Sequence, residues 1–236
     1  MEITAMERDQ QIAAYRARAE EVDRGIGVQP FAEVPVPFLT EAQAFQAQVL
    51  PGWTPTTTFY DDFTIVPGGV GSSWTVTTVG NGAVSQPSAN VARFDSPGPS
   101  GSARAHVATV SVPDPSVGRF FCACRAKISA ALPSGAARAG AGTSLGASTA
   151  VAGINAFGAQ YYSVAANVAV PTTYELDSTK YVTLRVWWNT GSAVFGCVDD
   201  SPFVSTRSSV AAGRLPFIIA QNTTARIDVT DYVAMV

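Results

Sequence analysis

The segment from Tyr181 to Val236 leaves little choice of fold. In Tyr181-Val-Thr-Leu-Arg-Val-Trp-Trp188, residues Val182, Leu184, Val186 and Trp188 share one side of an extended chain. Tyr181, Thr183, Arg185 and Trp187 share the other, because successive side chains of a strand point to opposite faces. An apolar row opposite a mixed row predicts a strand with one face on a core. Asn189-Thr-Gly-Ser192 turns the chain into Ala193-Val-Phe-Gly-Cys-Val198, and Asp199-Asp-Ser-Pro202 turns it again. Pro216 to Ala220 and Ala225 to Val233 read as a second strand pair around Gln221-Asn-Thr-Thr224.

Upstream, Tyr60-Asp-Asp-Phe63 and the strand Trp74 to Val79 flank a glycine-rich loop, Pro67-Gly-Gly-Val-Gly71. Ala105 to Val112, Gly118 to Ile128 and Ala159 to Val170 are further predicted strands. Residues 129–158 are rich in Gly and Ala and read as low complexity, with one weak strand at Arg138 to Ser144. The fold class expected is mainly β: an antiparallel two-sheet, jelly-roll-like sandwich.

The front of the chain has a different chemistry. Glu2, Glu7, Glu20, Glu21, Glu33 and Glu41 lie in the first fifty residues, and Glu175 alone follows. Strong helix formers give way to Thr, Val, Gly and Ser, which predicts a boundary near 50–58 and two parts, 1–58 and 59–236. A helix is expected from Thr4 to Arg24, ended by Gly25-Ile-Gly27, with Ile12, Tyr15, Ala19, Val22 and Ile26 at 3,4,3,4 spacing. That stripe suits either a short coiled coil, for example in a trimer, or the surface of a neighbouring protein. Pro30 to Pro37, which contains Phe31, reads as an extended arm. Thr40 with Gln43 then resembles the start of a second, short helix just after Phe38, closed by Pro51-Gly52. Helix, arm and helix, none with a core of its own, predict an anchoring segment in which Phe31 and Phe38 join the apolar stripe.

Composition narrows the function classes. A net charge of −3 argues against a nucleic-acid partner. Charged residues make up only 14% of the chain, so the surface is expected to be covered by partners or built from Ser, Thr, Asn and Gly. No apolar run reaches the length of a membrane span, and the acidic, polar N-terminus lacks the pattern of a signal peptide. Synthesis in a cytoplasm is the expectation. Cys122 and Cys124 are two apart in a strand and poorly placed to bridge each other, so reduced, packed cysteines are expected. His106 is the one histidine and builds no zinc site alone; neither a metal nor a cofactor is predicted.

The Tyr181–Val198 hairpin resembles the concanavalin A-like lectin/glucanase sandwich, including laminin G-like modules. Asp199-Asp200-Ser201 stands where that family has an Asp-Gly-like turn. Arg226 to Val233 looks like its last strand, and Asp61-Asp62-Phe63 with Trp74 like its opening strands. The resemblance implies a sandwich over 59–236 and two functional branches. For the glucanase branch, Glu175-Leu-Asp177-Ser-Thr-Lys180 is a near miss of an E-x-D-x-x-E signature. Retaining hydrolysis needs two carboxyl groups about 5 Å apart, and Lys180 stands where the second would be, so no catalytic residue is expected. For the lectin branch, Tyr181, Arg185 and Trp187 share the non-core face, and form the candidate glycan platform.

A helical anchor, a proline-rich arm and a charge-poor sandwich resemble virion-associated proteins of tailed bacteriophages, such as capsid decoration proteins, head fibres and tail adaptors. That layout implies a non-enzymatic virion structural protein whose partners are other capsid or tail proteins. A carbohydrate-binding module for host-surface glycans is the alternative.

Overall fold

The computed structural model describes residues 38–97, 101–128, 138–144, 150–165, 168–206, 215–221 and 224–236. The predicted helix at Thr4–Arg24, its stripe Ile12, Tyr15, Ala19, Val22 and Ile26, and Phe31 lie outside these residues. The chain is mainly β, with two antiparallel sheets and one short helix among the described residues.

The first sheet has eight strands. Six of them run in the order β3 (Ala83–Ser88), β4 (Val91–Ser96), β15 (Ala225–Met235), β6 (Phe120–Ile128), β11 (Val182–Trp188), β12 (Phe195–Val198). Beyond β12 the two-residue β13 (Val204–Ser205) forms the edge, and β1 (Thr58–Asp61) pairs with the far end of β15. The second sheet runs β10 (Val168–Glu175), β9 (Gln160–Ala165), β8 (Ala150–Phe157), β7 (Arg138–Ser144), β14 (Leu215–Gln221), β5 (Ser102–Val107), β2 (Trp74–Val79).

The inner faces meet in one large core. Val182, Leu184, Val186 and Trp188 all lie in it, as the alternation predicts. Cys122, Cys124, Ala126 and Ile128 of β6 join them, with Ala139, Ala141, Ile154 and Ile218 from the second sheet. Tyr232 ties the layers together. It stands on β15, yet its hydroxyl reaches the other sheet, accepting from Phe217 N–H at 3.2 Å and donating to the Gly142 carbonyl at 3.1 Å. All three cysteines are free and buried.

The helix α1 (Phe38–Val49) changes the expected boundary. The compact unit runs from Phe38 to Val236, so residues 38–58 belong with the sandwich and not with an anchor. Phe38, Ala42 and Gln46 recur every four residues and form the buried stripe of α1. Phe38, Ala42 and Leu50 pack on Phe121, Ala123, Trp187, Cys197, Val233 and Met235, the outward-facing side chains of the eight-stranded sheet. Phe38 is thus a core contact of this unit and is not available for docking. Thr40 is not the cap that the pattern predicted, because the helix already starts at Phe38 and Thr40 stands in its first turn. The predicted stop holds: Gly52 takes the left-handed conformation at φ 72°, and Gln46 Nε2 donates to the Trp53 carbonyl at 3.2 Å. Backbone bonds continue the seam, from Thr56 N–H and Thr57 N–H to the Val236 carbonyl.

The weak strand expected at Arg138–Ser144 is present, but the low-complexity reading around it fails at Ala150–Phe157, a strand that was not predicted. Ala159 to Val170, expected as one strand, is broken into β9 and the start of β10.

Candidate functional site

The predicted platform of Tyr181, Arg185 and Trp187 does lie on the outer face of the first sheet, but α1 covers most of it. Arg185 and Trp187 are each only 4% exposed. Phe45 of α1 meets the Trp187 ring edge-on at 5.6 Å and takes the Arg185 guanidinium over its own ring at 4.4 Å. Arg185 Nη2 donates to Glu41 Oε1 at 2.7 Å, and Nη1 donates to the Asp199 carbonyl. Tyr181 stands apart and half-buried, with the Lys127 ammonium 5.1 Å from its ring centre. The three residues therefore form no open aromatic surface. The alternation was read correctly; what it lacked was the helix lying across that face. The most exposed member of the aromatic group is Phe203, at its rim, which packs edge-on against Trp187 and Phe195.

The near-miss acid motif is a turn. Asp177 Oδ1 accepts from Thr179 N–H at 2.9 Å and from Thr179 Oγ1 at 2.6 Å, and Lys180 Nζ lies 3.1 Å from Oδ2. These bonds hold the Asp177 carboxyl down to about 2, where it stays ionised and is of little use as a proton donor. Asp199 caps strand contacts in a similar way, accepting from Thr183 N–H at 2.6 Å and from the Tyr174 hydroxyl at 2.8 Å. Asp61 accepts from Trp74 Nε1 at 2.7 Å and from Phe63 N–H at 2.7 Å.

The outer face of the second sheet holds a different arrangement. Register places Thr77, Arg104, Ile219, Gly140, Asn155 and Tyr162 in one row across β2, β5, β14, β7, β8 and β9. The next row runs Thr75, His106, Phe217, Gly142, Gly153, Val164. Three adjoining positions, Gly140, Gly142 and Gly153, present no side chain. Glycine is required at the first two: a Cβ on Gly140 would fall 2.1 Å from the Ile154 carbonyl oxygen, and one on Gly142 2.1 Å from that of Ala152. The strip between Phe217 and Ile219 on one side and Asn155 on the other is close-packed, and all three of those side chains are fully buried.

Asn155 leans over that strip, its Oδ1 lying 2.5 Å from where a Gly140 Cβ would be. The side chain is fully buried, yet neither Oδ1 nor Nδ2 has a hydrogen-bond partner. Leaving each such group unpaired costs about 1–3 kcal/mol. Across Ile219, Arg104 has a buried Nε without a partner and gives one long bond, 3.3 Å from Nη2 to Ser102 Oγ. Burial pulls its guanidinium down, and among the described residues no carboxylate pairs with it. Burial likewise lowers His106 and favours its neutral form.

No family model matches the chain, and no curated protein matches it in sequence. Solved structures do match. A sialidase superposes on 77% of this chain with a TM-score of 0.55 at 9% identity. The chain spans only 18% of that sialidase. A protein of unknown function from Shewanella oneidensis MR-1 matches over 88% of this chain and 95% of its own, with a TM-score of 0.54 at 18% identity. The conserved carbohydrate esterase of Shiga toxin-encoding bacteriophage phi24B matches over 77% and 98%, with a TM-score of 0.50 at 14% identity. The shared fold is a two-sheet antiparallel β-sandwich. At these identities the likeness is one of fold and does not transfer a function.

Of the residues on the second sheet, Arg104, Asn155 and the three glycines were not singled out from the sequence. A signal was present in Arg138-Ala-Gly-Ala-Gly-Thr-Ser144, where glycine at alternate positions strips one face of a strand.

Proposed function

We propose that the chain is a non-enzymatic structural protein of a virus particle of the tailed-bacteriophage kind, attached through residues 1–37 and displaying the sandwich. The observation that carries this is the boundary at Phe38. The compact unit begins there, and the 37 residues before it hold five of the seven glutamates and the whole Ile12–Ile26 stripe. A segment with helix-forming composition and one apolar stripe suits attachment to capsid or tail proteins, or self-association as a trimer. The fold match to a phage chain that is almost entirely covered supports the setting. Lys180, standing where a second carboxyl would be and 3.1 Å from Asp177 Oδ2, supports a non-enzymatic reading against the glucanase one. Gradient sedimentation with the particle tests the attachment: the full chain should travel with the particle and a 38–236 fragment should stay at the top. If the fragment travels with the particle, residues 1–37 are not the attachment.

A second reading, recognition of carbohydrate by the sandwich, is supported by the fold match to a phage carbohydrate esterase, which this chain covers almost entirely.

A further inference from the structure

We propose that the free edge of β2 is a self-association surface, where β2 of a second copy of this chain pairs antiparallel and joins the two seven-stranded sheets into one. β2 ends the second sheet: it pairs along its whole length with β5, and no described strand pairs with its other side. Such an edge carries a row of unpaired N–H and C=O groups that can template another strand. The other three ends of the two sheets are blunted. β10 contains Pro171, and its register breaks between Pro171 and Glu175. β3 contains Pro87, with a break between Ser85 and Ser88. β13 is two residues long. The short β1, beside β15, ends on Asp61. β2 has none of these devices. Its sequence, Trp-Thr-Val-Thr-Thr-Val, holds no proline and no charge, its register with β5 is continuous, and Thr75, Thr78 and Val79 are exposed.

The occupant follows from charge and symmetry. No Asp, Glu, Lys, Arg or His occurs from Phe63 to Ala92, a span that includes β2, the loop before it and β3. A charged partner gains nothing there, whereas two identical neutral edges meet without like-charge repulsion. Antiparallel pairing about a two-fold axis at Thr77 sets Thr77 against itself, Val76 against Thr78 and Thr75 against Val79. Each pair then lies on one face of the joined sheet. A second observation lies beside the edge. Among the described residues six large apolar side chains are exposed, and Ile65, Val70 and Val79 are three of them. All three belong to β2 or to the loop that leads into it. That loop is set against the strand, since a Cβ on Gly68 would fall 2.9 Å from Val76 Cγ2. Ile65 and Val70 thus supply apolar contact beyond the strand backbone. This pairing holds whether or not residues 1–37 attach the chain to a particle.

Native mass measurement and sedimentation velocity of the full chain test it. The wild type should carry an even number of copies: two, or six if the Ile12–Ile26 stripe also forms a trimer. Thr75→Lys combined with Val79→Lys places like charges opposite each other across the two-fold and should halve the mass. Thr75→Glu combined with Val79→Glu should do the same. Mixing the two double variants should restore the wild-type mass, because opposite charges then face each other; that rescue separates an edge contact from a folding defect. Amide hydrogen exchange needs no variant. In the associated wild type every amide from Thr75 to Val79 should be protected, whereas a free edge leaves alternate ones open. An odd number of copies, a mass unmoved by both double variants, or alternate open amides in the wild type overturns the proposal. Halved mass without rescue on mixing overturns the pairing of β2 with β2.

Discussion

Arg185 Nη2 lies 2.7 Å from Glu41 Oε1, and this contact fastens the helix to the middle of the eight-stranded sheet. The two partners are unequal: the Arg185 side chain is 5% exposed and that of Glu41 is 41%. Losing Glu41 leaves a buried cation with only the longer 3.9 Å contact to Asp200, whereas losing Arg185 leaves a carboxylate that water can solvate. Glu41→Ala is therefore expected to cost about 1–2 kcal/mol, the exposed partner discounting the penalty of a broken buried pair. Arg185→Met, which keeps the stem over Phe45, should cost less. Urea unfolding of the two variants checks the order, and a larger loss for Arg185→Met contradicts it.

Tyr232→Phe removes the hydroxyl that joins Phe217 N–H to the Gly142 carbonyl inside the core. Both backbone groups lose that partner away from water, and the expected loss is about 1–3 kcal/mol in the same unfolding experiment. A change within a few tenths of a kcal/mol would mean that the two strands close directly.

These two ties also mark how far the sequence could be read. The core row of Val182, Leu184, Val186 and Trp188 was legible because alternation depends only on local geometry. So were the Trp74–Val79 strand and the stop at Pro51-Gly52. The position of α1 was not legible, since Phe38, Ala42 and Gln46 show where a helix is buried but not on what. For that reason Arg185 and Trp187 looked free, and Phe38 looked like an anchor. The β8 strand, Ala-Val-Ala-Gly-Ile-Asn-Ala-Phe, hid in a Gly/Ala-rich region because small residues pack well only against a neighbour that the sequence does not reveal. The row joining Arg104 to Asn155 spans four strands and depends entirely on register.

Two aspartates should titrate in opposite directions. Burial raises Asp61 above its ordinary 3.8, despite the bonds from Phe63 N–H and Trp74. Its folded state favours the protonated form, so the stability linked to it is full below the unfolded value and is lost as pH rises through the raised folded value. Asp177 runs the other way: its folded value is about 2, so its linked contribution is present above 3.8 and is lost as pH falls through about 2. Carboxyl-carbon NMR titration reads both, and a midpoint for Asp61 below that of Asp177 would refute the assignment.

The cysteines report on the layers separately. Burial pushes the Cys122 thiol up to about 12 and that of Cys197 to about 11, so both are poor nucleophiles at neutral pH in the folded chain. Cys122 and Cys124 face the inner core, whereas Cys197 lies under α1. Loosening the helix with Glu41→Ala should therefore make Cys197 react first with a thiol reagent, followed by the other two only on global unfolding. Simultaneous reaction of all three would show that the helix does not open by itself.

The central claim is that α1 is part of the sandwich, sealing the face that the sequence offers as a ligand platform. Thermal unfolding of two fragments, 38–236 and 51–236, tests it most directly. Phe38 and Leu50 each contribute about 2 kcal/mol by burial, so removing the segment should cost roughly 4 kcal/mol or more. The account predicts that 38–236 melts close to the full chain and that 51–236, if still folded, melts roughly 10 °C lower with Trp187 exposed to quencher. Equal melting of the two fragments, with Trp187 equally shielded, would contradict it.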